Sequence, residues 1–219
     1  MSLDIKICGL STAETVAAAL AGGASHVGFI FFPKSPRNVT AEQAGGLREA
    51  AKGRALAVAV TVNADDAFLD EIVAAMHPDM LQLHGRETPA RVVEVKARYG
   101  LPVMKALSVS EAGDLEAMRP YFGIADRFLL DAKPPKGAEL PGGNGVSFDW
   151  RILKALDDGV DYMLSGGLDA ENIGAALSLL SPKGIDLSSG VETAPGIKDP
   201  ALITQFFTAI EAARATSPA

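Results

Sequence analysis

The pattern that decides the fold is clearest in residues 26–43. It begins with His26-Val27-Gly28-Phe29-Ile30-Phe31, continues through a turn with two prolines, and ends in Thr40-Ala41-Glu42-Gln43. A short run of β-branched and aromatic residues that stops at a proline-containing turn is typical of a strand. A threonine followed three residues later by glutamine matches the capping box that opens a helix. This stretch therefore predicts one strand, one turn and one helix.

The same unit recurs along the whole chain. Each apolar run is followed by a turn and an alanine-rich helical stretch, which implies a parallel sheet covered by helices. Eight such units close most simply into an α/β (β/α)₈ TIM barrel, with residues 1–219 as a single domain. An open, doubly wound sheet is the alternative. The predicted strands are Ile5–Cys8, His26–Phe31, Leu56–Val62, Met80–His84, Val103–Leu107, Arg127–Asp131, Tyr162–Ser165 and Ile185–Ser188.

Cap residues predict where the helices begin. Two further stretches match the capping box, and two more place a cap residue before a proline in the first helical turn. Single aspartates or asparagines can cap the others. The predicted starts are Ser11–Glu14, Ser108–Glu111, Thr88-Pro89, Asp199-Pro200, Asp149, Asp169, and Asn63 or Asp65 for the third helix.

Composition excludes several classes of protein. The 219 residues are 48% hydrophobic, and 27 acidic against 20 basic residues give a net charge of −7. That balance, without any cluster of Lys and Arg, argues against nucleic acid or an anionic membrane as a partner. No signal peptide or membrane-length apolar run is evident, and a single cysteine suits a reducing compartment. We expect a cytoplasmic protein that is a monomer or a weak homodimer.

Polar residues gather at the carboxyl ends of the predicted strands. Because side chains alternate between the two faces of a strand, pairs such as Lys6 with Cys8, Gln82 with His84, and Asp186 with Ser188 share a face. In a closed barrel these ends meet at one mouth, where barrel enzymes place their chemistry.

Two segments near the end of the chain predict a phosphate site. They are Leu164–Leu168, with Ser165, Gly166 and Gly167, and Asp186–Glu192, with Ser188, Ser189 and Gly190. Glycines and hydroxyls allow a close backbone approach to an anion, and the loops after strands seven and eight of such barrels commonly bind phosphate. Either segment alone is also compatible with an ordinary turn.

Four further residues are candidates for chemistry or substrate contact, each with a plainer interpretation. Cys8 is either a small buried residue or a thiolate whose pKa the following helix start would lower. Asp131 is a mouth carboxylate, raised in pKa by partial burial as a general acid requires, or a structural acid. Arg37 could grip a carboxylate or lie in solvent. His84 could contact substrate or be a satisfied core histidine. The histidines lack metal-ligand spacing, and no Walker pattern or nucleotide fingerprint is present, so we expect neither metal nor cofactor.

Taken in order, these motifs resemble the phosphoribosylanthranilate isomerase family. The resemblance spans nearly the whole chain and is most specific where the Cys8 segment and the Ser188–Glu192 segment occur together. Ser11 and Asn144 replace threonines that are usual in the family. The matching segments are Lys6–Leu10, Ser35–Arg37, Gln82–Gly85, Leu129–Asp131, Leu140–Gly143, Ser165–Leu168 and Ser188–Glu192.

The resemblance implies an enzyme of tryptophan biosynthesis. Its reaction is the Amadori rearrangement of N-(5-phosphoribosyl)anthranilate to 1-(2-carboxyphenylamino)-1-deoxyribulose 5-phosphate. By the same resemblance, Asp131 is the general acid, Cys8 is the general base, and Arg37 faces the anthranilate carboxylate. We expect His84 and Asp186 to contact the substrate.

Two alternatives remain open. Another sugar-phosphate barrel enzyme, such as an epimerase or a synthase with lysine-centred chemistry, would use metal ligands or a residue such as Lys6 or Lys105. A non-catalytic phosphate binder would explain the glycine segments but not the mouth positions of Cys8 and Asp131.

Overall fold

The structure is a computed structural model that describes residues 3–135, 137–138, 140–157 and 159–216. Eight parallel strands form a closed barrel in the order β1 to β8, with β8 paired back to β1. The closed barrel confirms the predicted TIM-barrel fold and excludes the open sheet. The strands are β1 Asp4–Cys8, β2 His26–Phe31, β3 Leu56–Thr61, β4 Met80–Leu83, β5 Val103–Val109, β6 Arg127–Ala132, β7 Tyr162–Leu164 and β8 Gly184–Leu187.

Helices surround the barrel. Thr40, Asp65 and Thr88 cap their helices through side-chain oxygens that accept backbone N–H groups, as the sequence predicts. The helices are α1 Ala13–Ala21, α2 Ala41–Ala51, α3 Asp66–Met76, α4 Pro89–Tyr99, α5 Ile173–Leu179 and α6 Pro200–Thr216.

Several predicted helix starts are displaced. Ser108 lies within β5, and the segment after that strand is a 3₁₀ helix, Ala112–Tyr121, capped by Glu111. Gly113 and Pro120 lie within this segment, and both residue types disfavour an α-helix. The helix that Asp149 caps, Trp150–Ala155, is also 3₁₀.

Two more starts differ by a few residues. Thr12 rather than Ser11 caps α1. Asp169 accepts the N–H groups of Glu171 and Asn172 in a turn, and α5 begins only after Asn172. The capping oxygen of α1 thus belongs to the residue next to the predicted one, whereas Asn172 at the start of α5 makes no side-chain cap hydrogen bond.

The core has two layers. A large apolar cluster fills the space between the strands and the helices. A smaller cluster, with Cys8, Val60, Met104 and Met163 among its members, fills the barrel interior. After β8, a hairpin of β9 (Glu192–Ala194) and β10 (Ile197–Lys198) folds beside the barrel. No helix among the described residues is long and apolar enough to cross a bilayer.

Candidate active site

One cleft opens at the carboxyl ends of the barrel strands, with about 750 Å³ of space that includes its solvent-open part. Cys8, Arg37, His84, Asp131 and Asp186 all line it. Of the predicted phosphate residues, Gly166, Gly167, Ser188 and Ser189 also line the cleft, whereas Gly190 lies behind it. The structure thus brings together the residues that the strand parity predicted to meet, while their roles stay predictions.

Cys8 ends β1 and is almost completely buried. Burial raises the pKa of its thiol above the ordinary value; the charge of Lys6 lowers it in part, and the charge of Asp186 raises it. The expected lowering by the start of α1 is therefore wrong, because removal from water outweighs every favourable charge around the sulfur. The sequence did indicate a cation that could lower this pKa in part, because Lys6 lies on the same face of β1 as Cys8.

Asp131 ends the inward-facing run of β6 and lies three strands from Cys8 around the barrel, beyond β7 and β8. Its Oδ1 accepts the N–H of Ala132 at 2.9 Å, and its Oδ2 lies 3.5 Å from Nε2 of His84. His84 Nδ1 is 3.0 Å from the amide nitrogen of Gln82. Since that amide nitrogen can only donate, the ring proton belongs on Nε2, facing Asp131.

Arg37 is held by a partner that the sequence did not reveal. Its Nε and Nη2 donate to the two carboxylate oxygens of Glu192, at 2.7 and 2.8 Å, and Nη2 also donates to the carbonyl of Gly143. Glu192 in turn contacts Lys198, which donates to Ser188 Oγ at 3.3 Å. Arg37 is thus buried rather than solvated, and Nη1 is its nitrogen that has no hydrogen-bond acceptor among the described residues.

The two glycine segments face the cleft with free backbone donors. Gly166 and Gly167 have φ values of 93° and 63°, which favour glycine. Within the described chain, the N–H groups of Gly166, Gly167 and Ser189 have no hydrogen-bond acceptor. Unpaired N–H groups beside glycines are the arrangement that binds an anion.

Both carboxylate oxygens of Asp186, a predicted substrate contact, already accept hydrogen bonds from other side chains. Its Oδ1 accepts from Lys6 Nζ at 2.7 Å, and its Oδ2 accepts from Ser165 Oγ at 3.3 Å. A carboxylate has about four acceptor sites, so a substrate hydroxyl could still bind it.

The loop after β6 covers part of this cleft. A Cβ atom on Gly142 would lie 2.5 Å from Asp131 Oδ2 and 2.7 Å from His84 Nε2. A Cβ on Gly143 would lie 2.7 Å from Arg37 Nη1. These glycines let the loop backbone rest directly on the polar groups. In the part of the chain that the structure describes, no group of three His, Cys, Asp or Glu side chains is arranged for a metal ion.

A closed parallel barrel with ionisable side chains and glycine-rich segments at one mouth is typical of the class of barrel enzymes that act on small phosphorylated molecules. Comparison with known proteins gives the particular family. The family model for N-(5'phosphoribosyl)anthranilate (PRA) isomerase matches residues 5–209. The chain therefore belongs to the phosphoribosylanthranilate isomerase family and is an isomerase.

Individual relatives agree. The chain is 75% identical to the N-(5'-phosphoribosyl)anthranilate isomerase of Mesorhizobium japonicum. The alignment spans 214 residues and covers 98% of each chain. It is 68% identical to the Brucella canis enzyme of the same name, over 98% of this chain and 97% of that one. Among solved structures, the Thermotoga maritima phosphoribosyl anthranilate isomerase has a TM-score of 0.86 at 32% identity, covering 96% of this chain and all of that one.

Proposed function

We propose that this barrel catalyses the Amadori rearrangement of N-(5-phosphoribosyl)anthranilate in tryptophan biosynthesis, with Asp131 as the acid and Cys8 as the base. The observation that carries the assignment is that a carboxyl group and a thiol face the same cleft from strands three positions apart. A similar isomerase structure is described as a complex with reduced 1-(o-carboxyphenylamino)-1-deoxyribulose 5-phosphate, and a cleft that accepts such a molecule suits this reaction.

The chemistry divides between the two groups. Asp131, protonated, donates its proton to the furanose ring oxygen while the bond between that oxygen and C1′ breaks. The anthranilate nitrogen supplies its electron pair to C1′, which gives a protonated Schiff base. The Cys8 thiolate then removes the C2′ proton, and the electrons of that C–H bond form the enolamine, which tautomerises to the ketone. Protons move within one substrate, so no cofactor is needed.

The cleft offers a distinct environment for each end of this substrate. Ile30, Phe32, Val60 and Val62 form an apolar wall on the side of β2 and β3 that suits an aromatic ring. The free Nη1 of Arg37 lies on that side and suits the ring carboxylate.

The phosphate would lie across the cleft, at the free N–H groups of Gly166, Gly167 and Ser189. This orientation places the sugar between the two ends, where Asp131 and Cys8 can reach it from opposite sides. Asp186 and His84 would contact the sugar hydroxyls.

The proposed function also implies where the enzyme acts and what it binds. We infer a cytoplasmic enzyme, folded as one domain over residues 1–219, that takes a sugar phosphate and neither nucleic acid nor membrane as its partner. We expect a monomer or a weak homodimer; one similar structure shows monomers generated from the dimeric isomerase of Thermotoga maritima.

The test measures turnover of freshly prepared N-(5-phosphoribosyl)anthranilate by loss of its fluorescence. Cys8→Ser and Asp131→Asn should each lower kcat by about 10²–10⁴-fold or more, because a hydroxyl is far harder to ionise than a thiol and an amide cannot deliver a proton. Asp126→Asn, at the opposite end of β6 and half-exposed, is the matched control and should keep wild-type kcat. A variant at either catalytic position that keeps a tenth of wild-type kcat would exclude that residue from its role, and wild-type binding without turnover would favour a binding protein.

A further inference from the structure

The proposed acid–base pair does not account for the buried charge of Lys6. Lys6 is fully buried in the barrel interior, on the same face of β1 as Cys8. Its ammonium group donates to Asp186 Oδ1 at 2.7 Å across the pairing of β1 with β8. A buried charge is costly unless it is paired, so a lysine at this position needs a reason beyond packing.

Lys6 and Cys8 converge on a gap left by a glycine in the neighbouring strand. Gly28 is the β2 residue aligned with Cys8. A Cβ atom on Gly28 would lie 3.0 Å from Lys6 Nζ and 3.1 Å from both Cys8 Sγ and Lys6 Cε, and these are the three atoms nearest to it. The ammonium and the sulfur therefore flank one small space that any side chain on residue 28 would occupy.

Other charges also face the sulfur, but none has the same position. Arg37 and Lys198 both form ion pairs with the carboxylate of Glu192. Asp186 adds a negative charge that opposes ionisation of the thiol. Burial lowers the pKa of Lys6, but Asp186 and Cys8 together raise it above its ordinary value, so the amine is charged.

We propose that Lys6 is the counter-ion of the Cys8 thiolate. Asp186 holds the ammonium group in place and partly offsets its effect on the thiol. Residue 28 is a glycine because the ammonium group and the sulfur must approach each other. Lys6 is thus a positioning residue that acts through Cys8. Its place in catalysis rests on the proposed role of Cys8, but its effect on the thiol does not.

The experiment titrates the thiol directly. The chain has one cysteine, so protein labelled with ¹³Cβ-cysteine gives one resonance whose shift follows thiol ionisation, whether or not the enzyme turns over. Lys6→Gln should raise the pKa of Cys8 by about 1–3, the range for loss of a close opposite charge. Asp186→Asn should lower that pKa, because the opposing charge is gone.

Gly28→Ala supplies a test that changes no charge. The added methyl group lies between ammonium and sulfur, so the thiol pKa should rise as in Lys6→Gln, but less. Lys105→Gln is the matched control: Lys105 is also buried and paired with a carboxylate, Glu87, but belongs to β5 on the far side of the barrel. Its removal should leave the thiol pKa unchanged.

Activity gives the second readout. If Cys8 is the base, turnover by Lys6→Gln should fall at least tenfold at neutral pH and recover as pH rises through the new thiol pKa, which a lysine with a merely structural role would not produce. An unchanged thiol pKa in Lys6→Gln, or in Gly28→Ala if Lys6→Gln does not fold, would overturn the proposal. So would a higher thiol pKa in Asp186→Asn. The expected pKa shifts without loss of turnover in Cys8→Ser would instead overturn the proposed base.

Discussion

Gly190→Ala tests whether the two glycine segments act together as a phosphate site. Gly190 does not line the cleft; it packs behind it against the segment that follows β7. A Cβ atom at this position would lie 2.0 Å from the carbonyl oxygen of Leu168, 3.0 Å from its carbonyl carbon and 3.1 Å from Cα of Asp169. All three are backbone atoms, so no rotation of a side chain can relieve the clash.

The size of the displacement follows from these distances. A carbon and a carbonyl oxygen in close contact ordinarily lie about 3.3 Å apart, so one segment must move by about 1.3 Å. Misplacement by about 1 Å can cost about 10²-fold in rate, equivalent to about 2.7 kcal/mol of transition-state stabilisation. Because phosphate is remote from the reacting bonds, we expect the loss mainly as a higher KM.

The assay is steady-state turnover of N-(5-phosphoribosyl)anthranilate, with inorganic phosphate as a competing ligand. Gly190→Ala should lower kcat/KM by about 10²-fold and weaken inhibition by phosphate in parallel. Gly46→Ala, at an exposed site in α2 where a Cβ atom meets nothing within 4 Å, is the control. It should keep wild-type kinetics and stabilise the helix by about 1 kcal/mol.

A folded Gly190→Ala protein with kcat/KM close to wild type would refute this reasoning. It would mean that the segment after β8 can move without disturbing substrate, and hence that the free N–H groups of Gly166 and Ser189 do not share one phosphate.

Two more outcomes are expected. Glu192→Gln should raise KM about tenfold or more and lower the free energy of unfolding by about 3 kcal/mol, because it removes the carboxylate that orients and neutralises Arg37; an unchanged KM in substrate titrations would contradict it. Burial lowers the pKa of His26 to about 4 from 6.5, so between these values the unfolded chain binds the proton and the folded chain does not. The free energy of unfolding should therefore fall by up to about 3 kcal/mol as pH drops from 6.5 to 4, and His26→Gln should flatten that slope in urea unfolding.

The barrel was predictable because its signals are local. Each strand is a short apolar run, and each of Thr40, Asp65 and Thr88 caps the helix that follows it. Neighbouring residues therefore suffice to predict where these strands and helices lie. The same locality explains the displaced starts: the cap pattern at Ser108 is present, but a longer β5 absorbs it, since pairing with β6 continues to Val109.

The site was predictable only as a set of positions. Strand parity predicts which polar side chains share the mouth, but their partners lie far away in the chain: Arg37 and Glu192 are 155 residues apart, and Lys6 and Asp186 are 180 apart. Such pairs leave no local pattern. The predicted direction of the pKa shift of Cys8 was wrong for the same reason, since burial by distant strands cannot be deduced from the helix start that follows it.

The pairing of β1 with β8 has a consequence for synthesis. The edge of β1 that pairs with β8, at Asp4–Ile7, gains its neighbouring strand only when residues 184–187 have left the ribosome. Until then β1 is an open edge, and closing so long a loop is slow, so the nascent chain presents an unpaired apolar strand during most of its translation. Lys6 meets the carboxylate of Asp186 at that last step, and the Cys8 thiol acquires its surroundings when the barrel closes.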